Sequence, residues 1–473
     1  MWISLALPMK FDPKTYGNKS PKTFHSLWIA AGQSKPRDDS VIPQRTRTAP
    51  MHYDRRSLLL RLMFGVALAL SIQVASAADS QERLLSAASN GDPEDAITAI
   101  EAGADVNARD KDGRTPLMIA AGHNKPAMAE TLIKHGAEVN ARDKYGATPL
   151  MWAAEHNEAA MAETLIQHGA EIDARTKWTD MTALMVAAEH NEPAMAETLI
   201  QHGAEIDARS IFGLTALAWA AENNEPTMAE TLIKHGAEIN ARDNRGRIAL
   251  MDAAQHNQPA MAVTLIKNGA EVNARDNSGR TSLIRAAWIN EPDMAETLIK
   301  HGAEINVRDK DGRTALMGAA MHNEPVMAET LIKHGAKING RDKDGRTPLM
   351  IAAEYNKPAM VETLIKHGAE INARDKDGRT VLMLAAQYNE PEMAATVIQH
   401  GARINVRDDN GSTALIVAAQ NNQPTMVERL LDAGADAGMR NKDGKTAANL
   451  ADADNEAVRE SDVYWRLHDA QFD

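Results

Sequence analysis

The sequence predicts an all-α helical solenoid, and three observations carry that prediction. A block of 33 residues returns ten times between Asp110 and Arg440, with one copy, Thr176 to Arg209, lengthened to 34. Within each copy, two short apolar runs at helical spacing are bracketed by capping residues. One copy alone has no second layer to cover its apolar face, so its stability comes from stacking on the next. Such an array presents a continuous surface rather than a single cleft.

The first unit, Asp110 to Arg142, displays each element in turn. Asp110-Lys111-Asp112-Gly113 is a turn, with aspartate to hold backbone N–H groups and glycine for a positive φ. Thr115-Pro116 reads as an N-cap followed by proline in the first helical turn, where its missing N–H costs nothing. A short helix follows through Leu117, Met118, Ala120 and Ala121, the alanine pair letting neighbouring helices approach closely. Asn124 ends it. Asparagine holds that place in all ten units, and it tolerates the left-handed backbone of a helix terminus. Pro126 opens a second helix, as proline does in nine of the ten units. Met128, Leu132 and Ile133 give its apolar stripe, and Gly136 closes it.

Two of these stretches, T-P-L-M-I-A-A at Thr115 to Ala121 and L-I-K-H-G-A-E-V-N-A at Leu132 to Ala141, resemble the ankyrin repeat. The resemblance covers 110–440 fully and continues more weakly at both ends. It implies a turn, two antiparallel helices and a β-hairpin-like loop per unit, stacked into a curved solenoid whose tips and first helices line the recognition surface. The family usually has histidine after T-P-L. This chain has Met118, Met151, Met185, Ala218, Met251, Ile284, Met317, Met350, Met383 and Ile416 instead, so flexible apolar packing is expected in place of that histidine's inter-unit hydrogen bonds.

The ends differ from the array. Residues 78–109 keep the second-helix pattern, with Gly91-Asp92-Pro93 in place of Asn-x-Pro, and read as an N-terminal capping repeat. Residues 441–473 begin like a unit and then turn charged, as a C-terminal cap must. Residues 51–77 combine Arg55-Arg56, an apolar segment from Leu58 to Val74 and Ala75-Ser76-Ala77, the pattern of a signal peptide cleaved after Ala77. The uninterrupted stretch after Arg61 is short of the roughly 20 residues that span a bilayer. Residues 1–50 are polar and basic, and the reading is that translation starts at Met51; a transit peptide or a disordered tail are the competing readings.

Charge narrows the partners. Residues 1–77 carry 11 Lys and Arg against 4 Asp and Glu, so the remainder of a chain totalling −13 carries −20 by difference. That works against nucleic-acid backbones and anionic membranes. The chain has no cysteine, which removes disulfides and thiol chemistry. No phosphate-binding glycine loop, zinc-protease helix or hydrolase elbow is present, so no catalytic residue and no cofactor is assigned. Asp110-x-Asp112-Gly113 has only part of a calcium loop's ligand set and reads as a solvated turn. A histidine recurs near the end of most second helices, as at His135, His168 and His202, and is read as interacting with the helix C-terminus rather than with a metal.

Positions that break the repeat point to the partner site. Units two to four replace the usual Lys-Asp-Gly-Arg tip with Tyr145, Trp178 and Phe212, flanked by Met181, Ile211 and Leu214, and their first helices carry Trp152 and Trp219. A contiguous apolar row of this kind marks an interaction site; the competing reading is packing of these side chains on one another. Asp252, Arg285 and Trp288 form a smaller mixed-charge patch. The expectation is a monomeric, non-enzymatic scaffold, periplasmic or secreted and without a membrane anchor after cleavage, that binds a protein partner. The alternatives are an effector acting on host proteins and a metal-dependent protein using the histidines.

Overall fold

The computed structural model describes Met63 and residues 79–470, apart from 157, 323 and 455. The segments read as an N-terminal extension and a signal peptide lie outside the described residues, Met63 excepted. Each unit is a helix pair, as in Pro116–Gly122 with Pro126–Lys134 and Ala249–Gln255 with Pro259–Lys267. First helices pack on the first helices of neighbouring units and second helices on second helices, giving two layers. The expected hairpin-like loop is a tight turn, and no strand occurs among the described residues. Among them, too, no helix is long and apolar enough to cross a membrane.

The caps form as the residue types require. Thr115 accepts a hydrogen bond from the Met118 N–H at 3.4 Å, and the threonine of each other unit but the fifth caps its first helix likewise. In unit five Ile248 holds the cap position and makes no such bond. The asparagines that end the first helices have φ between 49° and 61° wherever they are described.

Two polar ladders join successive units. Asn107 donates to the Gly136 carbonyl at 3.0 Å and accepts from the Glu138 N–H at 2.8 Å, tying one unit to the next. Asn140, Asn240, Asn273, Asn306, Asn372 and Asn405 repeat both bonds. In units two and three Asp173 and Asp207 stand in that place and only accept. Alongside, the arginine that closes each unit donates to the carbonyl of the next such arginine, from Arg109 through to Arg440. Apolar side chains fill the histidine position in the core, and these Asn and Arg ladders tie each unit to the next by hydrogen bonds.

At the ends, a helix over 79–90 and Pro93–Glu101 precede the array, with Leu84, Ala87 and Ala88 buried. After it come Ala447–Asp454, Glu456–Arg459 and Val463–Asp469, which bury Val458, Val463 and Leu467.

Candidate interaction surface

The tips are held in register by backbone hydrogen bonds. In unit two, Asp143 Oδ1 accepts from the N–H groups of Tyr145 (2.8 Å) and Ala147 (2.9 Å), fixing the turn. The next unit then bonds to it: Lys177 N–H to the Tyr145 carbonyl at 2.8 Å, Ile211 N–H to Thr179 at 3.1 Å, Asn244 N–H to Phe212 at 3.0 Å. This ladder makes Thr179, not Trp178, the counterpart of Tyr145 and Phe212. Trp178 is the extra residue of the 34-residue unit, pushed out of the row, with Lys177 Nζ 5.0 Å from its ring centroid. The unit closes its turn differently as well. Thr176 Oγ1 accepts from the Met181 N–H at 2.9 Å, and Asp180, at φ 53°, occupies the place glycine holds in other tips.

The expected apolar residues divide into two groups. Tyr145, Trp178, Ile211 and Phe212 are exposed by 50, 64, 47 and 51%, large values for such side chains. Met181 and Leu214 are buried, which corrects their assignment to the surface. They hold the position before the threonine cap that is arginine in units one and five to nine, beneath the tip, and an apolar chain there turns inward. Trp152 and Trp219 are half-buried, with Val186 between them at the same helical position. Trp152 donates from Nε1 to Asp143 Oδ2 at 3.3 Å and stacks on His156 at a 6.5 Å centroid separation. These indoles are a floor between the helices rather than projecting knobs.

The mixed-charge patch of units five and six is also corrected. Asp252 is buried, 2.8 Å from Arg247 Nη1, and Arg247 Nε lies 2.7 Å from Asp243. Burial pushes the Asp252 carboxyl up to about 7; Arg247 opposes the shift, and Glu222 and Asp243 add to it. Arg285 is spent internally, donating to Asp276 Oδ2 at 2.6 Å and to Gln255 Oε1 at 2.7 Å. Trp288 lies under Arg280, whose Cζ is 4.0 Å from the ring centroid, and against Gly318, where an added Cβ would stand 2.3 Å from the indole. The three residues belong to the internal network joining units five, six and seven.

Sequence reasoning passed over two rows of carboxylates. Glu155, Glu189 and Glu222 end the first helices of units two to four, and Glu158, Glu192 and Glu225 precede their second helices. Burial holds Glu189 above the usual carboxylate range, His190 opposes, and Glu155 and Glu222 add to the rise. The signal was legible: the same three units lose the tip arginine and gain a glutamate at the helix end.

The recurrent histidines cap helix ends. Nδ1 of His135, His168 and His301 lies 2.8 Å from the carbonyl oxygen four residues earlier. Among the described residues no three His, Asp or Glu side chains gather as metal ligands do.

A family model described as ankyrin repeats, in three copies, matches residues 84–176, 174–243, 240–309, 283–375 and 372–441, well over half of the chain. No curated protein matches it.

Proposed function

The chain belongs to the ankyrin repeat family and is a protein-binding scaffold, and we propose that units two to four are where it holds its partner. Repeat domains of this kind are typically non-catalytic binding modules. The observation that carries the reading is the run of exposed Tyr145, Trp178, Ile211 and Phe212 on three consecutive tips. Large apolar side chains exposed together on neighbouring tips mark an interaction site, and Trp and Tyr are enriched in binding hot spots. Tips held by the backbone ladder are also pre-organised, so little ordering is lost on binding.

The test is affinity capture with the full chain, followed by titration of the recovered partner. Trp178→Ala with Phe212→Ala is expected to weaken binding about thirtyfold or more, with helicity unchanged. Lys310→Ala with Arg313→Ala, in a default tip, is the control and should have little effect. Equal losses from both pairs would spread the contact along the array and overturn the assignment.

We also propose that the scaffold works outside the cytoplasm, in the periplasm of a Gram-negative bacterium. The support is Arg55-Arg56, the apolar segment after it and Ala75-Ser76-Ala77. Protein purified from a periplasmic fraction should begin at Ala78. A cytoplasmic protein beginning upstream of Leu62 would refute export.

A further inference from the structure

The array contains its own control for the carboxylates of units two to four. In unit eight, Arg346 precedes the first helix and reaches Glu354 at the helix's far end, Nη1 to Oε2 2.8 Å, while also holding Asp342. Units two, three and four carry Glu155, Glu189 and Glu222 in the place of Glu354, but Ala147, Met181 and Leu214 in the place of Arg346. The acid is kept and its counter-ion withdrawn, three times in succession. Among the described residues no Lys, Arg or His nitrogen pairs with any of the three within 4.0 Å. A second row of acids lies beside the first: burial raises Glu192, His190 and His156 oppose, and Glu158 and Glu225 press the same way as burial.

Between these acids and the exposed tips lies the half-buried stripe of Trp152, Val186 and Trp219. One face therefore has an apolar edge at the tips, an aromatic floor and an anionic edge at the helix ends. We infer that its occupant is a basic, amphipathic segment of a partner protein, with Lys or Arg set against the glutamates and apolar side chains set on Tyr145, Trp178 and Phe212. The inference rests on units two to four being the contact surface. Complementary charge of this kind steers encounter and fixes register. A phosphate-bearing partner is repelled by the same face. A purely cationic ligand would leave the exposed aromatics uncovered, and a purely apolar one would bury carboxylates without counter-ions, which is strongly unfavourable.

Short random peptides displayed on phage and selected on the full chain test this. Selected sequences should be enriched in Lys and Arg together with aromatic or aliphatic residues, and a synthetic copy should bind more weakly as salt is added. Glu155→Gln with Glu189→Gln and Glu222→Gln should weaken that peptide at least about tenfold. Ala147→Arg with Leu214→Arg, which restores the arrangement of unit eight, should weaken it in the same direction with helicity retained. Neutral or acidic selected sequences, or unchanged affinity in the glutamine variant, would overturn the inference. If the glutamine variant binds normally while Trp178→Ala with Phe212→Ala does not, the tip contact stands and the basic partner is wrong. If neither variant matters, or no peptide is selected, both fail.

Discussion

At about pH 8, where Asp252 is ionised, replacing Arg247 by leucine is expected to destabilise the array by about 3–5 kcal/mol, because it removes the cation paired with that buried carboxylate. Arg247 is the cation that touches Asp252, at 2.8 Å, and it also holds Asp243. Adding Asp252→Asn to Arg247→Leu should recover much of the loss, since the remaining amide carries no charge. The pH dependence has a definite sign. Folded, the carboxyl keeps its proton up to about pH 7; unfolded, it loses it near pH 4, so between those values the native state binds more protons. Stability therefore falls as pH rises through that window and levels off above it, by an amount on the order of 4 kcal/mol at most. Asp252→Asn should remove this part of the slope and be the more stable protein at about pH 8. Glu189 and Glu192, also raised by burial, act in the same direction in both proteins, so the readout is the difference between their denaturation midpoints across pH. Parallel profiles for the two proteins would show that Asp252 does not titrate in this range.

The fate of individual residues shows why the fold was easier to read than the face. Thr115 acts on the adjacent backbone through its hydroxyl and Asn124 and Gly136 through their own φ, so repeating the threonine in nine units and the other two in all ten fixes the turns and helix ends without knowledge of the packing. Met181 and Leu214 sit in tip sequences and look exposed in one unit taken alone. Only the column of arginines at the same position in six other units, which lies beneath the tip, reveals that an apolar residue there must turn inward. Trp178 was misaligned because an insertion has no register until the Ile211 to Thr179 hydrogen bond supplies one. Asp252 shares its column with the half-buried Trp152 and Trp219, yet it is buried with Arg247 against it. That depends on a tertiary contact between a tip and a helix, which periodicity does not encode.

Leu265→Ala is expected to cost about 2–5 kcal/mol and, more tellingly, to divide the array. Leu265 is fully buried in the second helix of unit five, which packs on the second helices of units four and six and on its own first helix. Truncation leaves a cavity whose walls belong to neighbouring units, so both junctions weaken together. Unit five is already the one whose first helix lacks a threonine cap, Ile248 standing there. In a chain of nearest-neighbour couplings, a loss at the centre severs the blocks on either side, whereas the same loss near an end only lengthens the fraying segment. Leu132→Ala supplies the comparison, since Leu132 is equally buried at the same position of unit one. Native-state hydrogen exchange should show Leu265→Ala lowering protection across units four to six and producing two unfolding steps in denaturant. Leu132→Ala should lower protection near the N-terminal end of the array and leave a single main step. If both variants reduced protection uniformly from 110 to 440, the array would unfold as one cooperative body and the nearest-neighbour account would be wrong.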